Sequence, residues 1–346
     1  MSPVTAARRA QELCEFCPKM CRFSCPVSEV TGREALTPWG KVSLAALTMG
    51  RPDESSAMAF AGCTGCHRCA VYCAHDNDVP AILYAARASA VRSGVAPAYW
   101  TQLAPRFSAL GHGEELDLAA VHRSLPRPQG EALLFAGCDA LAAGGEEARD
   151  ALFVAERMGA PLGLADALCC GLKLVEGGHP ELSAAHFTRL GFLRSKKPLH
   201  LVFLQPGCAR FVQEKLPEGS TAEHVTSYLA RALAAMQTLP QPLPGSVVFH
   251  DPCALARDLQ ELTAPRALLA AALQDGLREP PRSGIDTSCC GAAGLLPRTM
   301  PDVARKLALD RRAELGEGEI VTSSPACAAA LGAGEVVSLL RRWFSQ

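Results

Sequence analysis

Half of the sixteen cysteines in this 346-residue chain lie in two short runs near its N-terminus. The first run is Cys14-x2-Cys17-x3-Cys21-x3-Cys25-Pro26, and the second is Cys63-x2-Cys66-x2-Cys69-x3-Cys73. Such spacings let successive thiolates converge on one 4Fe–4S cluster, whereas the fourth cysteine of each run reaches the other cluster in two-cluster ferredoxins. The pattern therefore predicts two clusters, one held by Cys14, Cys17, Cys21 and Cys73, the other by Cys63, Cys66, Cys69 and Cys25.

Two four-cysteine zinc sites are the alternative, because zinc is also bound by C-x2-C pairs. Zinc motifs usually show two separated pairs, so four cysteines in a row at each site favour iron and sulfur. Two details depart from the usual ferredoxin motif: three residues separate Cys17 from Cys21, and Ala74 stands where a proline is usual after Cys73. The long connection between the runs, with a helical stretch at 40–49, resembles the larger helical ferredoxin form of dehydrogenase subunits.

Basic and imidazole side chains lie among these cysteines. Lys19, Arg22 and Arg68 could offset the negative charge of thiolate-bound clusters, with simple surface charges as the alternative. His67 and His75 either donate hydrogen bonds to a cluster or lie in solvated loops.

The other eight cysteines form a second, duplicated pattern. One set is Cys138, Cys169, Cys170 and Cys208, and the other is Cys253, Cys289, Cys290 and Cys327. Corresponding members are 115, 120, 120 and 119 residues apart, and a glycine follows each Cys-Cys pair. That glycine allows a close backbone approach or a positive φ. Four thiolates per set match the ligand count of a 4Fe–4S cluster, which predicts a third and a fourth cluster. The alternative is that only one set holds a cluster, the other keeping free or disulfide-bonded cysteines.

The second half of the chain alternates apolar runs with Ala-rich helical stretches, which indicates α/β units around a mostly parallel sheet. The runs are residues 132–136, 199–204, 246–250 and 319–322. The helical stretches are residues 146–158, 181–194, 222–235, 264–274 and 301–315. Because Cys208 and Cys327 closely follow an apolar run, we expect each to lie just past a strand, at the start of a helix.

These observations predict an α+β multidomain protein. A helical ferredoxin-type domain with two clusters spans residues 1–95, followed by a linker at 96–130 with one short helix near 114–123. Two α/β cysteine-rich modules follow, at 131–240 and 246–346, and the Pro-rich segment 239–245 marks the seam between them.

Composition excludes several classes of function. The net charge is −1 without blocks of like charge, and aromatic residues make up 5% of the chain, so nucleic acid is not an expected partner. No run of eighteen apolar residues could cross a membrane, and the first 17 residues lack the apolar stretch of a secretory signal. We therefore expect a cytoplasmic protein, or one held on the inner membrane by a partner. There is no phosphate-binding loop or dinucleotide fingerprint, so we expect no flavin or nicotinamide on this chain.

The sequence resembles the cysteine-rich "CCG" domain proteins. The resemblance rests on CTGCHRC (63–69), FHDPCALAR (249–257), SCCGAAGLLPRTMPDVARKLALDRRAELG (288–316) and IVTSSPACAAAL (320–331). Members include subunits of heterodisulfide reductase and the iron–sulfur subunits of glycolate oxidase and lactate-utilisation systems. The order of a ferredoxin domain followed by two cysteine-rich modules also matches.

One departure from the family pattern bears on mechanism. In catalytic heterodisulfide reductase subunits each module ends in C-x-x-C and supplies five cysteines to a non-cubane cluster, whereas Gln205 and Ser324 occupy those extra positions here. The four-cysteine pattern is more similar to the glycolate- and lactate-oxidising subunits. The resemblance thus implies an iron–sulfur subunit that carries electrons from a flavoprotein dehydrogenase acting on a 2-hydroxy acid, or from an electron-transfer flavoprotein, to a quinone or other carrier.

Three other functions remain alternatives at this point. The first is a catalytic disulfide reductase that uses the Cys253 set, and the second is a redox sensor or cluster carrier. The third is a hydrolase that uses Cys253, His250 and Asp251. The family pattern instead makes His250 a residue that orients a cluster loop.

Overall fold

The computed structural model describes residues 9, 11–14, 16–48, 50–194 and 197–346, with the backbone alone at 192 and 194. The chain forms two compact units. The first comprises Met1–Gly113, Lys173–Ala184 and Ser288–Arg311, and the second comprises Glu114–Leu172, Ala185–Thr287 and Arg312–Gln346. These two units do not test the domain boundaries expected from the sequence, which therefore stay a prediction.

Helices make up most of the regular structure before residue 130. They are α1 (Pro26–Thr31), α2 (Pro38–Leu47), α3 (Glu54–Ala61), α4 (Arg68–Val71), α5 (Val79–Arg92), α6 (Ala98–Leu110) and α7 (Leu118–Arg123). Short 3-10 turns lie at Arg22–Ser24 and Glu34–Leu36.

Local sequence explains where several of these helices begin. Thr37 and Asp78 accept a hydrogen bond from the backbone of the first turns of α2 and α5, and proline occupies the first or second position of both helices. Asp53 and Ser56 form a reciprocal capping box at the start of α3. Apolar side chains of the first unit then pack into a buried cluster, which consists of Cys25, Val27, Leu36, Ala59, Leu296, Ala304 and Leu307. The second cysteine run thus lies between α3 and α5, two helices whose starts are capped.

Helices and strands alternate from residue 131 onward. The strands are β1 (Ala132–Phe135), β2 (Leu162–Leu164), β3 (His200–Phe203), β4 (Thr221–His224), β5 (Val247–His250), β6 (Leu277–Arg278), β7 (Ile320–Thr322) and β8 (Gly334–Glu335). The helices are α8 (Gly137–Ala142), α9 (Glu146–Arg157), α10 (Leu172–Glu176), α11 (Pro180–Phe187), α12 (Pro206–Gln213), α13 (Val225–Ala235), α14 (Thr263–Ala272), α15 (Leu296–Thr299), α16 (Pro301–Leu315), α17 (Pro325–Leu331) and α18 (Val336–Phe344). Further 3-10 turns span Gly191–Arg194 and Gly284–Asp286, and a π-helix spans Ala254–Asp258.

Both sheets belong to the second unit, and both are parallel throughout. Their strand orders are β2-β1-β3-β4 and β6-β5-β7-β8, so the second sheet repeats the order of the first. This repetition is what the duplicated cysteine pattern predicts. Large aromatic side chains fill the centre of the first sheet, where the rings of Phe135 and Phe203 stack 5.0 Å apart.

The predicted α+β class is confirmed at the level of mixed helices and parallel strands, with some corrections. The segment expected to be a linker contains the 13-residue helix α6. The stretch predicted as helix from residue 222 begins instead as strand β4, and the helix starts at Val225. Two predictions fall partly outside the described residues. One is the end of the helical stretch at Met49, and the other is the first eight residues of the N-terminal segment. Within the described part of the chain, no helix is long and apolar enough to cross a membrane.

Candidate metal centres

A cavity of about 360 Å³ lies among the first group of N-terminal cysteines. Cys14, Cys17, Cys21 and Cys73 all line it, together with Lys19, Trp39, His75 and Asn77. The amide nitrogen Nδ2 of Asn77 donates to Cys14 Sγ at 3.2 Å, and the backbone N–H of Asn77 reaches Cys73 Sγ at 3.5 Å. The structure thus brings Cys73 from the second run to the first three cysteines of the first run. We refer to this cavity as the outer site, because its four cysteines are all partly exposed.

A second cavity, of about 330 Å³, contains the complementary group. Cys25, Cys63, Cys66 and Cys69 line it, together with Lys41, Thr64 and His67. We call it the inner site, since three of its four cysteines are buried. Each cavity therefore contains the four cysteines that the spacing assigns to one cluster, and that these residues ligate clusters stays a prediction. Cys69 also borders the outer site.

At least one thiol in each site has a raised pKa. Burial, with the neighbouring thiols of Cys14, Cys73 and Cys17, raises the pKa of Cys21 to about 11. Burial and the thiols of Cys66, Cys63 and Cys25 raise the pKa of Cys69 well above its usual value. Several thiolates crowded into one cavity repel each other, and bound metal relieves that repulsion while it displaces the protons. The donor set thus fits a cationic metal group.

Two buried cations beside the inner site were not predicted from the sequence. Lys41 is 2% exposed, and its Nζ lies 3.4 Å from Cys25 Sγ and 3.0 Å from the carbonyl oxygen of Gly62. Arg87 is fully buried, and its guanidinium donates to the carbonyl oxygen of Cys63 at 2.5 Å. Nothing in the local sequence of α2 or α5 marks either residue, because only the fold brings them to the cysteines.

Of the three basic residues predicted to offset cluster charge, Lys19 and Arg68 lie next to cysteines, whereas Arg22 lies at the surface. Lys19 lines the outer site, with its Nζ 3.6 Å from the centre of the Trp39 ring. Arg22 is exposed and pairs with Glu34, which is an ordinary surface ion pair. Arg68 is buried in α4, next to Cys69 in sequence. His67 contacts Asp78 at 3.2 Å and lines the inner site, and His75 lines the outer site.

The third predicted cysteine group assembles within the second unit. Cys138 lies in α8, just after β1, and Cys208 is the third residue of α12, just after β3. Cys138 Sγ is 3.7 Å from Cys169 Sγ, and Cys170 Sγ is 3.2 Å from Cys208 Sγ. All four are buried. Cys138 and Cys208 follow the two central strands, which meet where the order of the sheet reverses, and this is the usual ligand position of such sheets.

Electrostatics in this group resemble those of the N-terminal sites. Contact with one neighbouring thiol lowers the pKa of Cys169, Cys170 and Cys208, but the remaining thiols and burial outweigh it, so all three pKa values are raised. The imidazole Nε2 of His186 lies 2.9 Å from the carbonyl oxygen of Cys169 and holds the loop. Gly171 has φ +89° and Gly291 has φ +80°, so the glycine after each Cys-Cys pair has the positive φ that the sequence predicted.

The fourth predicted group is divided between the two units. Cys253 follows β5, and Cys327 is the third residue of α17 after β7, so both lie in the second unit. The sulfur of Cys327 lies within 4.8 Å of an imidazole nitrogen of His250. Cys289 and Cys290 belong to the first unit. There, Cys289 Sγ lies 3.6 Å from the hydroxyl of Thr64 in the inner-site loop.

Asp251, which precedes Cys253 by two residues, is held in place by hydrogen bonds within the second unit. The carboxylate of Asp251 accepts two hydrogen bonds from Arg266, at 2.8 and 2.9 Å, and one from the backbone N–H of Gly284 at 2.7 Å. The carbonyl oxygen of Asp251 accepts from the Thr287 hydroxyl at 3.0 Å. Asp251 therefore anchors the loop ahead of Cys289, and it is engaged by Arg266 instead of orienting a hydrolytic base.

Gln205 and Ser324, the two residues that depart from the family pattern, contact each other. The hydroxyl of Ser324 donates to the side-chain oxygen of Gln205 at 2.7 Å. Ser324 also caps α17 by accepting from the backbone N–H of Cys327. This hydrogen bond thus connects the residue that follows the first sheet's β3 to a residue that follows the second sheet's β7.

Comparison with known proteins identifies part of this architecture. Residues 247–332 match the family model of the cysteine-rich domain CCG. The resemblance expected from the sequence is therefore confirmed for this part of the chain, and the matched residues include Cys253, the Cys289–Cys290 pair and Cys327.

Similarity to curated proteins extends the likeness beyond the CCG domain. The chain is 28% identical over 290 residues to a subunit of the dihydromethanophenazine:CoB–CoM heterodisulfide reductase of Methanosarcina barkeri, which covers 77% of this chain and 70% of that protein. The corresponding subunit of Methanosarcina mazei is 24% identical over 277 residues, 72% of this chain and 66% of that protein. A probable membrane-anchored ferredoxin of Chromohalobacter salexigens is 38% identical over 92 residues, 25% of this chain and 13% of that protein.

Proposed function

We propose that this chain is the iron–sulfur electron-transfer subunit of an oxidoreductase complex. The observation that carries the proposal is that each of two cavities contains the four N-terminal cysteines that the spacing assigns to one cluster, with Cys69 bordering both. Clusters bound there would supply one-electron transfer. The protein supplies the thiols, hydrogen bonds such as that from Asn77 to Cys14, and the buried positive charge beside the inner site.

The CCG cysteines extend the proposed set of clusters. Cys138, Cys169, Cys170 and Cys208 would hold a third cluster, and their sulfur–sulfur distances of 3.2 and 3.7 Å support a shared group. Cys253, Cys289, Cys290 and Cys327 would hold a fourth. We also propose the domain division expected from the sequence. It has a ferredoxin-type domain at residues 1–95 and two cysteine-rich modules at residues 131–240 and 246–346.

We further propose that the electron donor is a flavoprotein, either a dehydrogenase acting on a 2-hydroxy acid or an electron-transfer flavoprotein. The acceptor would be a quinone or other carrier, reached through a partner at the inner membrane. Family resemblance supports this choice, because the four-cysteine modules are similar to those of glycolate- and lactate-oxidising systems. That support is analogy at the level of fold and motif.

Metal analysis of the anaerobically purified chain tests the proposal. We expect about sixteen iron atoms and sixteen acid-labile sulfides per chain if all four groups hold 4Fe–4S clusters, and about eight of each if only the N-terminal pair does. Zinc in place of iron would contradict the proposal and favour the four-cysteine zinc sites.

The names of the relatives support a second candidate function, the reduction of a disulfide at a CCG cluster. The hydrogen bond between Gln205 and Ser324 counts against it, because a hydroxyl and an amide occupy the positions of the additional thiolates. The purified chain, reduced by an artificial one-electron donor, should then leave a low-molecular-weight disulfide intact. Catalytic turnover of the disulfide would favour the reductase and displace the electron-transfer proposal.

A further inference from the structure

Lys41 brings a positive charge into the interior of the first unit. Its side chain is almost completely buried, and its ammonium donates to Cys25 Sγ and to the Gly62 carbonyl oxygen. An ammonium removed from water is costly unless an anion compensates it. Its two acceptors, a cysteine sulfur and a peptide carbonyl oxygen, suit an ammonium donor, and the cysteines of the inner site can supply the compensating negative charge. Lys41 thus places its positive charge next to the inner-site sulfurs.

Arg87 adds a second buried cation on another side of the same loop. Besides the Cys63 carbonyl, its guanidinium donates to the carbonyl oxygens of Phe60, Glu176 and Gly294, at 2.8 to 3.2 Å. These acceptors are neutral peptide groups, so they satisfy the donors without cancelling the charge. Two buried positive charges thus lie beside inner-site cysteines, Lys41 at a sulfur and Arg87 at a backbone carbonyl.

The outer site has a different electrostatic environment. Its cysteines are partly exposed, and the nearest lysine, Lys19, lies over the Trp39 ring. Arg22 pairs with Glu34 at an exposed position. Water and salt screen such surface charges strongly, whereas a buried charge at 3.4 Å from a sulfur is screened little.

We propose that Lys41 raises the reduction potential of the cluster held at the inner site relative to that of the outer site. The inference rests on the proposed function. Reduction adds one negative charge to the cluster, and a buried ammonium beside a ligand sulfur stabilises the more negative state. Electrons that enter this unit therefore settle at the inner site, whose Thr64 hydroxyl contacts Cys289 of the CCG domain within the same unit.

Redox titration followed by electron paramagnetic resonance tests this role on the anaerobically purified full chain. Lys41→Met removes the charge, and Lys41→Gln removes it while keeping a donor for Gly62. In both variants we expect the inner-site midpoint potential to become more negative by at least a tenfold change in the reduced-to-oxidised ratio, about 59 mV for one electron. The outer-site potential should not move. Lys41→Arg should restore most of the shift, and Lys19→Met, the matched control, should leave the inner site unchanged.

Three results would overturn the inference. The first is an unchanged inner-site potential in a Lys41→Gln variant that retains its full iron content. The second is an equal shift in Lys19→Met, which would make the effect one of general charge. The third is loss of about four iron atoms in both neutral variants, which would assign Lys41 to holding the fold. A wild-type chain without iron and sulfide would instead refute the proposed function, and the inference with it.

Discussion

At the scale of single residues, Cys25 and Cys73 distinguish two possible arrangements of the N-terminal clusters. If each run of four held its own cluster, Cys25 would join Cys14, Cys17 and Cys21. The structure instead places Cys25 with Cys63, Cys66 and Cys69 around the inner site, and Cys73 with the other group around the outer site. The carbonyl oxygen of Leu36, 3.4 Å from Cys25 Sγ, belongs to the turn that holds Cys25 in this position.

Serine substitution of these two cysteines gives a direct prediction. Cys14→Ser and Cys63→Ser first identify the outer-site and inner-site resonance signals. We expect Cys73→Ser to lose the same signal as Cys14→Ser, and Cys25→Ser to lose the same signal as Cys63→Ser, each with about four fewer iron atoms. The measurement is the resonance spectrum of the reduced protein with its iron content. The opposite pairing would show that each run binds its own cluster.

The sequence predicts the cysteines of the two sites but not the buried cations beside them, and the reason is physical. Cysteine spacing encodes ligand grouping, since thiolates two or three residues apart can meet one cluster, and the cavities contain the expected groups. Lys41 and Arg87 carry no such local signal. Each stands in an ordinary helical segment, and its meaning depends on which helix face is buried against the cysteine loops. A basic residue predicted from proximity in sequence, Arg22, instead lies at the surface.

At the scale of elements, the central strands could be predicted and the edge strands could not. The apolar runs match β1, β3, β5 and β7, which occupy the two central positions of each sheet. A central strand of a parallel sheet is covered on both faces and is therefore continuously apolar. The edge strands β2, β4, β6 and β8 have two to four residues, and β4 reads Thr-Ala-Glu-His. Segments as short as these, or as polar as β4, depend on pairing with a neighbour, which their sequence does not show.

Gly294 allows two cysteine-bearing loops of the first unit to approach closely. Its φ is +68°, and an added Cβ would stand 2.5 Å from the Cys63 carbonyl oxygen and 2.6 Å from Thr64 Cα. Both contacts are with backbone, so they cannot be relieved by rotating a side chain. The loop after Cys289 and Cys290 can therefore lie against the inner-site loop only with glycine at this position.

We predict that Gly294→Ala destabilises the protein and perturbs the inner site. The left-handed backbone costs about 1–2 kcal/mol for alanine, and the steric overlap adds about 1–3 kcal/mol. Gly276→Ala is the matched control, because Gly276 has the same φ of +68° with nothing within 4 Å of its added Cβ. Urea unfolding measures both losses, and the resonance of the inner site should change only in Gly294→Ala. Equal losses in the two variants would contradict the close approach.

At the scale of the whole molecule, the second unit joins two sheets of the same topology through polar side chains near the ends of their strands. Gln205 follows β3 and Ser324 follows β7, and their hydrogen bond connects equivalent positions of the two repeats. His224, at the end of β4, adds a second connection. Its Nε2 lies 3.0 Å from the carbonyl oxygen of Leu204, and it also contacts the backbone of Ser323 after β7. These contacts hold the cysteine-bearing ends of both sheets in one unit.

Because His224 is buried at this connection, we predict that it makes the molecule sensitive to acid. Burial lowers the pKa of His224 from 6.5 to about 4, so the unfolded chain takes up a proton before the folded chain does. The stabilisation from a neutral His224 is therefore complete above pH 6.5 and is lost as the pH falls through about 4, with a total of about 3 kcal/mol. His224→Gln cannot be protonated, so its deficit in unfolding free energy relative to wild type should shrink by about that amount between pH 7.5 and pH 4. Anaerobic urea unfolding across this range measures the difference, with His200→Gln, at a partly exposed position beside Glu223, as the control. A deficit that stays constant with pH would show that His224 is protonated at the same pH in the folded and unfolded chains.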